Sequence, residues 1–426
     1  MREQTTSAGS TVVLLLLFFG ACLLFYADTL RLEFTAEDYL RINRHYRDLT
    51  ASPLGPLRTP PTFSPRFRPV QFYTLALEYR LFGTHILLYR LLDLALLAAV
   101  ASLFHSLLRN ALGVRPLPAA AGALMAVFYF TWVDILYQYA GQFYLWGSII
   151  FVLLLRLVFS PRRPRSHLIA MTALFSIGLL TVQTVVIVMP MLLFHFLSER
   201  EKGRGTSVRT LLTYGFALSV PLFAFLLVER WRSGPLPVLT SSAFAVLKNY
   251  VVFTGCLFYN FKPFGFTQVW QATGPNLATL TLFVQSNRGV AAMGVASLVF
   301  TAGALLLLWR GDHPVRLLTL GVVLNILVFS AYPGTTPRYL TVSVLCTIAL
   351  TAYAWSRRVT AGSGRLGLLL FAALLAYNWR ISVKEREPFL ADIHHTEALR
   401  RSIGSNQNVS PADLPAVLQL KEFWKE

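Results

Sequence analysis

The feature that most constrains this chain is a recurring pattern of long apolar runs that carry no charge at all. A run of roughly 20 such residues can cross the hydrocarbon core of a bilayer. Of the 426 residues, 55% are apolar and only 14% are charged, whereas soluble domains average about 25% charged. Spanning helices are expected at 10–30, 86–108, 117–133, 143–159, 167–182, 184–197, 210–228, 289–309, 315–331, 339–355 and 366–379, about eleven in all. The fold class expected is therefore an all-α polytopic membrane bundle over 1–380, with helices in its outer-face loops. A polar tail at 381–426 is expected to hold a short helix and loops.

The formal net charge of +18 raises the question of nucleic acid, but its distribution answers it. Arg162, Arg163 and Arg165, then Arg200, Lys202, Arg204 and Arg209, then Arg357, Arg358 and Arg365 sit in short loops between apolar runs. Basic residues retained on the cytoplasmic side of spanning helices produce that pattern, and no nucleic-acid partner is expected. With the amino terminus cytoplasmic, the segments 31–85, 134–142, 229–288, 332–338 and the tail fall outside. Arginine greatly outnumbers lysine, as in high-GC bacteria, so the chain reads as a multi-pass protein of the plasma (inner) membrane with an extracytoplasmic carboxyl end. The first outer loop nevertheless carries Arg31, Arg41, Arg44, Arg47, Arg58, Arg66, Arg68 and Arg80. Loops of roughly 60 residues escape the positive-inside tendency, yet arginines moved outside call for a use. Two segments break the simple pattern. The run 167–197 is expected to break near Thr181-Val182-Gln183-Thr184, which keeps both flanking basic loops on one face. The segment 241–264 contains Lys248, Asn249, Asn260 and Lys262, and suits a re-entrant or interfacial helix.

Candidate chemistry concentrates in the first outer loop. Phe34-Thr35-Ala36-Glu37-Asp38-Tyr39 places adjacent carboxylates at the membrane surface, where they can act as a general base or bind a cation. The same residues also read as a helix start, with Thr35 as cap and acids in the first turn. Arg66 and Arg68 in Ser64-Pro65-Arg66-Phe67-Arg68-Pro69 offer planar donor forks suited to phosphate. Interfacial snorkelling toward headgroups explains them equally well. His394-His395 lacks a third ligand at recognisable spacing, so no metal site is expected there. Cys22, Cys256 and Cys346 lie in apolar runs and read as small buried hydrophobes.

Four motifs, in order along the chain, resemble the GT-C membrane glycosyltransferases, and most nearly the protein O-mannosyltransferase branch with its tetratricopeptide-bearing members. They are Phe34-x-x-Glu37-Asp38-Tyr39 followed by Arg68-Pro69 and Glu78-Tyr79-Arg80-Leu81-Phe82-Gly83; Thr181-Val182-Gln183-Thr184 with Pro190; Pro337-Arg338-Tyr339-Leu340; and Asn378-Trp379-Arg380. Two departures stand out. Gln183 occupies a position where the family usually has glutamate. Arg90 and Asp93 in Tyr89-Arg90-Leu91-Leu92-Asp93 replace a histidine and an asparagine, and three residues apart on a helix they can compensate each other.

The resemblance implies a hexosyltransferase that takes a sugar from a polyprenyl-phosphate donor on the outer face and passes it, with inversion, to an acceptor glycan, lipid or protein. It implies Asp38, or else Glu37, as base, and Arg66, Arg68, Arg338, Tyr339 and Gln183 as substrate contacts. No cofactor is called for, although the paired carboxylates are able to hold a divalent cation. No tetratricopeptide array follows the last span, so acceptor choice does not carry over. Two other readings compete: a flippase for lipid-linked saccharides, which calls for more polar groups deep in the spans, and a non-catalytic relative of the same fold.

Overall fold

Helices form where the apolar runs predict them, and they break at residues that end a helix for identifiable reasons. The computed structural model describes residues 8–58, 67–160, 165–201, 207–233, 243–257, 288–331, 337–358 and 361–404. Among these there is no strand. The helices are α1 (Ala8–Phe25), α2 (Ala36–Ala51), α3 (Pro69–Phe82), α4 (Ile86–Ser106), α5 (Pro116–Phe128), α6 (Val133–Leu136), α7 (Phe143–Val158), α8 (Arg165–Thr181), α9 (Val188–Glu201), α10 (Val208–Ser233), α11 (Ala243–Cys256), α12 (Arg288–Arg310), α13 (His313–Ser330), α14 (Thr341–Arg358) and α15 (Ala361–Gly404).

Each expected span holds one of these helices. Among the described residues five helical stretches are long and apolar enough to cross a membrane: Ile86–Ala111, Pro116–Leu136, Val208–Arg232, His313–Ser330 and Arg338–Arg357. Shorter apolar helices cover Thr11–Phe25, Phe143–Val158, Ser166–Thr181 and Gly294–Arg310. Helix α1 packs on α4, α4 on α5 and α7, α7 on α8, α5 on α14, and α14 on α13. The outward faces of α10 and α12 are apolar, with Leu212, Phe216, Phe223 and Trp231 on one and Leu298, Val299, Leu305 and Trp309 on the other. A bundle exterior of that composition suits lipid.

The long run at 167–197 is broken as the loop charges suggested. Helix α8 ends at Thr181, Val182 turns extended, and a 3-10 turn over Gln183–Ile187 leads into α9. Gly147 on α7 makes room for this break, since a Cβ there would lie 2.0 Å from Cγ1 of Val182. Valine is stiff at χ1, so Gly147→Ala is expected to cost about 1–3 kcal/mol by overpacking, read as a lower thermal midpoint in detergent. Gly83 has a different necessity. It ends α3 at φ 54°, a conformation that side-chain-bearing residues avoid, and its carbonyl accepts from the Tyr89 hydroxyl at 2.7 Å.

Two expectations need correction. The segment 10–30 is not one helix, because α1 stops at Phe25 and a 3-10 turn over Ala27–Arg31 follows. The helix expected in the tail is not short: α15 continues from the apolar stretch through Gly404, while the loops expected beyond it fall in 405–426, outside the described residues. Its polar half is amphipathic. Ser382, Glu385, Arg386, Ile393, Thr396 and Leu399 are buried at spacings that keep one stripe inward. Of the segment 241–264, α11 covers 243–256, where buried Asn249 donates to the Ser330 carbonyl at 3.0 Å; 258–264 lie outside the described residues. Cys22 and Cys346 are buried and free.

The segments that loop charge assigns to the outside meet at one end of the bundle. There the Glu229 carboxylate at the end of α10 accepts from the Phe67 amide at 2.9 Å. Arg386 of α15 donates to Asp28 and to the Phe25 carbonyl, both at 3.0 Å. A second, smaller core forms at this end from Phe34, Tyr39, Ile42, Leu75, Tyr79, Tyr89, Tyr139 and Leu399. Its rings pack edge to face, with Phe34 5.4 Å from Tyr39 and 5.2 Å from Tyr89.

Candidate functional site

Adjacent positions in a helix point about 100° apart, so the two neighbouring acids of the first outer loop have different surroundings. Thr35 caps α2, and Asp38 closes a capping box with it. One Asp38 oxygen accepts from the Thr35 amide at 3.1 Å and the Thr35 hydroxyl at 2.9 Å, and the residue is fully buried. Glu37 turns the other way and is half exposed. It accepts from Arg41 at 2.6 Å and, through its second oxygen, from the Gln138 amide nitrogen at 2.6 Å.

Gln138 then reaches across the end of the bundle. Its amide oxygen accepts from Arg338 at 2.8 Å. Arg338 also faces Asp134 at 3.8 Å and lies 6.0 Å from the Tyr144 ring. A carboxylate of the first loop and a guanidinium just over three hundred residues later thus grip the two ends of one side-chain amide. Asp134 lies beyond hydrogen-bond distance, so Gln138 is the hydrogen-bond partner of Arg338 among the described residues, and the side chain stays 26% exposed. Asp392 of α15 approaches from the tail. Burial, and then the Glu37 carboxylate, push its carboxyl up, against a lowering by His395.

The segment 137–143 organises all of this. The Tyr137 hydroxyl donates to Asp28, the carboxylate that also holds Arg386. Gln138 forms the bridge just described. The Tyr139 hydroxyl donates to Glu78 on α3 and accepts from Gln142 at 2.8 Å. The Phe143 ring lies 4.1 Å beneath the Arg68 guanidinium. The surroundings are strongly positive. His45, stacked on Phe72 at 4.5 Å, is pushed down to about 3 by burial and then by Arg41, Arg44 and Arg232. Burial is the larger cause, and the three arginines add to it, so the charge around His45 favours anions.

The expected site residues are therefore partly gathered. Glu37 and Arg338 meet through Gln138, and Arg68, capping α3, lies over Phe143, the residue before the Tyr144 that Arg338 approaches. Tyr339 adjoins Arg338 but packs, stacking on Phe329 at 4.8 Å. Among the described residues no hydrogen bond joins Gln183 to this chain of groups, and its buried amide nitrogen has no hydrogen-bond partner there. Arg66 lies outside the described residues. Sequence reasoning did not single out Gln138, Asp134, Tyr139 or Asp392. Two glutamines and an acid in a short turn between apolar helices were the available signal for the first two. Nothing local marked Asp392.

Arg90 and Asp93 do not form the close pair that their spacing allows. Fully buried Arg90 instead donates to the carbonyls of Leu136 at 2.7 Å and Glu33 at 2.8 Å, pinning both ends of the outer cap to α4. Asp93 remains within electrostatic reach of Arg90, Glu78 and Asp38.

No three histidine, cysteine, aspartate or glutamate side chains gather as a metal-binding group among the described residues. No protein-family model matches the chain, and no curated protein matches it. Among solved structures the chain is similar to ArnT from Cupriavidus metallidurans bound to undecaprenyl phosphate, with 14% identity and a TM-score of 0.49 over 98% of this chain and 76% of that one. A likeness that distant leaves this chain's chemistry to be argued from its own residues.

Proposed function

We propose that this chain is an integral membrane glycosyltransferase of the GT-C type, moving a sugar from a polyprenyl-phosphate donor to an acceptor on the extracytoplasmic face. The observation that carries the reading is the Gln138 bridge, which fixes a half-exposed carboxylate and a partly exposed guanidinium on opposite sides of one amide. The donor's lipid tail lies against the apolar bundle, and its phosphate meets Arg338, with Arg68 and Arg41 nearby. The acceptor hydroxyl gives its proton to a carboxylate as its oxygen bonds to the anomeric carbon. The bond from that carbon to the phosphate oxygen breaks, and the phosphate leaves with the electron pair. Inversion follows from attack opposite the leaving group.

Fixed positive charge where the phosphate charge develops is the large electrostatic contribution here. For the base, the geometry favours Glu37 over Asp38, because a base needs a lone pair within reach of the acceptor. Asp38 spends one oxygen twice on Thr35 and sits out of solvent. Its role in this reading is to hold the start of α2, and so the direction of Glu37.

Sugar release from a polyprenyl-phosphate sugar by the purified protein tests both statements. Glu37→Gln is expected to abolish release with insertion unchanged, and Asp38→Asn to lower it less. Wild-type rates in both variants would remove the first-loop acids from the mechanism.

A further inference from the structure

The buried acid on α3 has no part in the transfer just described, yet it reaches the site through a single hydroxyl. Glu78 is buried, and it accepts a hydrogen bond from Tyr139, the residue directly after Gln138. Gln142 donates to that same hydroxyl, so the loop closes on itself around the Glu78 contact. The Tyr139 ring is wedged against Phe34 at 5.2 Å and Tyr89 at 5.2 Å, which leaves it little freedom apart from the position of its hydroxyl. We propose that Glu78 is the positioning residue of the site: by holding Tyr139 it sets where the Gln138 amide stands, and thereby the separation of Glu37 and Arg338. Its importance for transfer rests on the function proposed above; the coupling of Glu78 to the loop does not.

The surroundings give this anchor a signature. Glu78 faces Tyr139 and Gln142 from the loop and Tyr89 and Asp93 from α4. No lysine or arginine is among those groups. Burial therefore dominates, and it pushes the Glu78 carboxyl up to about 7, against a smaller lowering by the Tyr139 and Gln142 contacts. A carboxyl raised in the closed arrangement binds its proton more tightly there than in an opened, hydrated one. Closure is thus fully supported below the ordinary carboxyl range, weakens as pH rises toward 7, and changes little beyond it.

Hydrogen exchange of the full-length protein in detergent, corrected for intrinsic rates, reads this directly. In the wild type, protection of the amides at 137–143 is expected to fall at least tenfold between pH 5 and pH 7.5. In Glu78→Gln, which keeps the shape and an acceptor oxygen but cannot ionise, it should stay level. If the glutamine variant fails to fold, Tyr139→Phe carries the test: it removes only the hydroxyl and leaves Glu78 ionisable, so it should lower protection at 137–143 already at pH 5. A fall of equal size in wild type and Glu78→Gln, or wild-type protection at pH 5 in Tyr139→Phe, would overturn the proposal. On the activity side, Glu78→Gln should keep its turnover above pH 7, where the wild type declines. If a polyprenyl-phosphate sugar is not turned over at any pH while the exchange profile still depends on Glu78, the anchor stands and the proposed function falls.

Discussion

Arg338→Ala is expected to slow sugar release by about 10²–10³, the usual loss when one preorganised donor is removed from developing negative charge. Two lines of geometry lead there. Arg338 is placed by Gln138 at 2.8 Å and by the Asp134 carboxylate, so its position is set before any donor arrives. Its 3-10 turn, Pro337–Leu340, also follows a proline and precedes a spanning helix, which restricts its backbone. Arg338→Lys should recover little, since an ammonium cannot hold the amide oxygen and a phosphate in one plane. The readout is turnover under saturating donor, together with donor binding in detergent. An alanine variant that binds and turns over the donor like wild type removes Arg338 from the phosphate site.

Replacing Arg90 is expected to be the most damaging change to the fold. Its guanidinium is buried on α4 and donates to the buried Leu136 carbonyl and to the half-buried Glu33 carbonyl. Removing it strands both carbonyls and leaves Asp93 without its nearest cation. Loss of one partner from a buried charged arrangement costs about 3–5 kcal/mol. Arg90→Met should therefore lower the thermal midpoint sharply. Adding Asp93→Asn should return part of the loss, because the stranded charge is then gone, and the departure from additivity measures the coupling between them. Additive effects would mean that Arg90 serves the carbonyls alone.

The fold was legible because hydrophobicity in a bilayer is a local code. Runs without charge became helices, and Gly, Pro and Arg at their ends marked the borders within a few residues. The break at 181–184 was readable from charge alone, since only a break keeps both basic loops on one face. The tail was misread for a related reason. From Ile381 onward the composition is polar, and a polar helix shows itself only through the stripe it buries, which depends on a partner surface that no local pattern reveals. The site was legible in half. Glu37 and Asp38 were found as a pair, but their division of labour follows from the 100° between neighbouring helical positions and from what happens to lie on each side. Gln138 was invisible because an amide bridge has no motif: it matters only because Glu37 and Arg338, distant in sequence, arrive at its two ends.

The contact between Arg386 and Asp28 joins positions 358 apart in sequence, and Leu399 fills the aromatic core begun by Phe34 and Tyr39. Pairings that distant form late, because closing a loop of that length carries a large entropic cost before any contact rewards it. During synthesis, the outer cap must therefore wait, open and incompletely buttressed, while nearly all of the bundle is threaded into the bilayer. A chain interrupted before α15 would carry its acids, its bridge and its arginines and still lack the brace that keeps them in place.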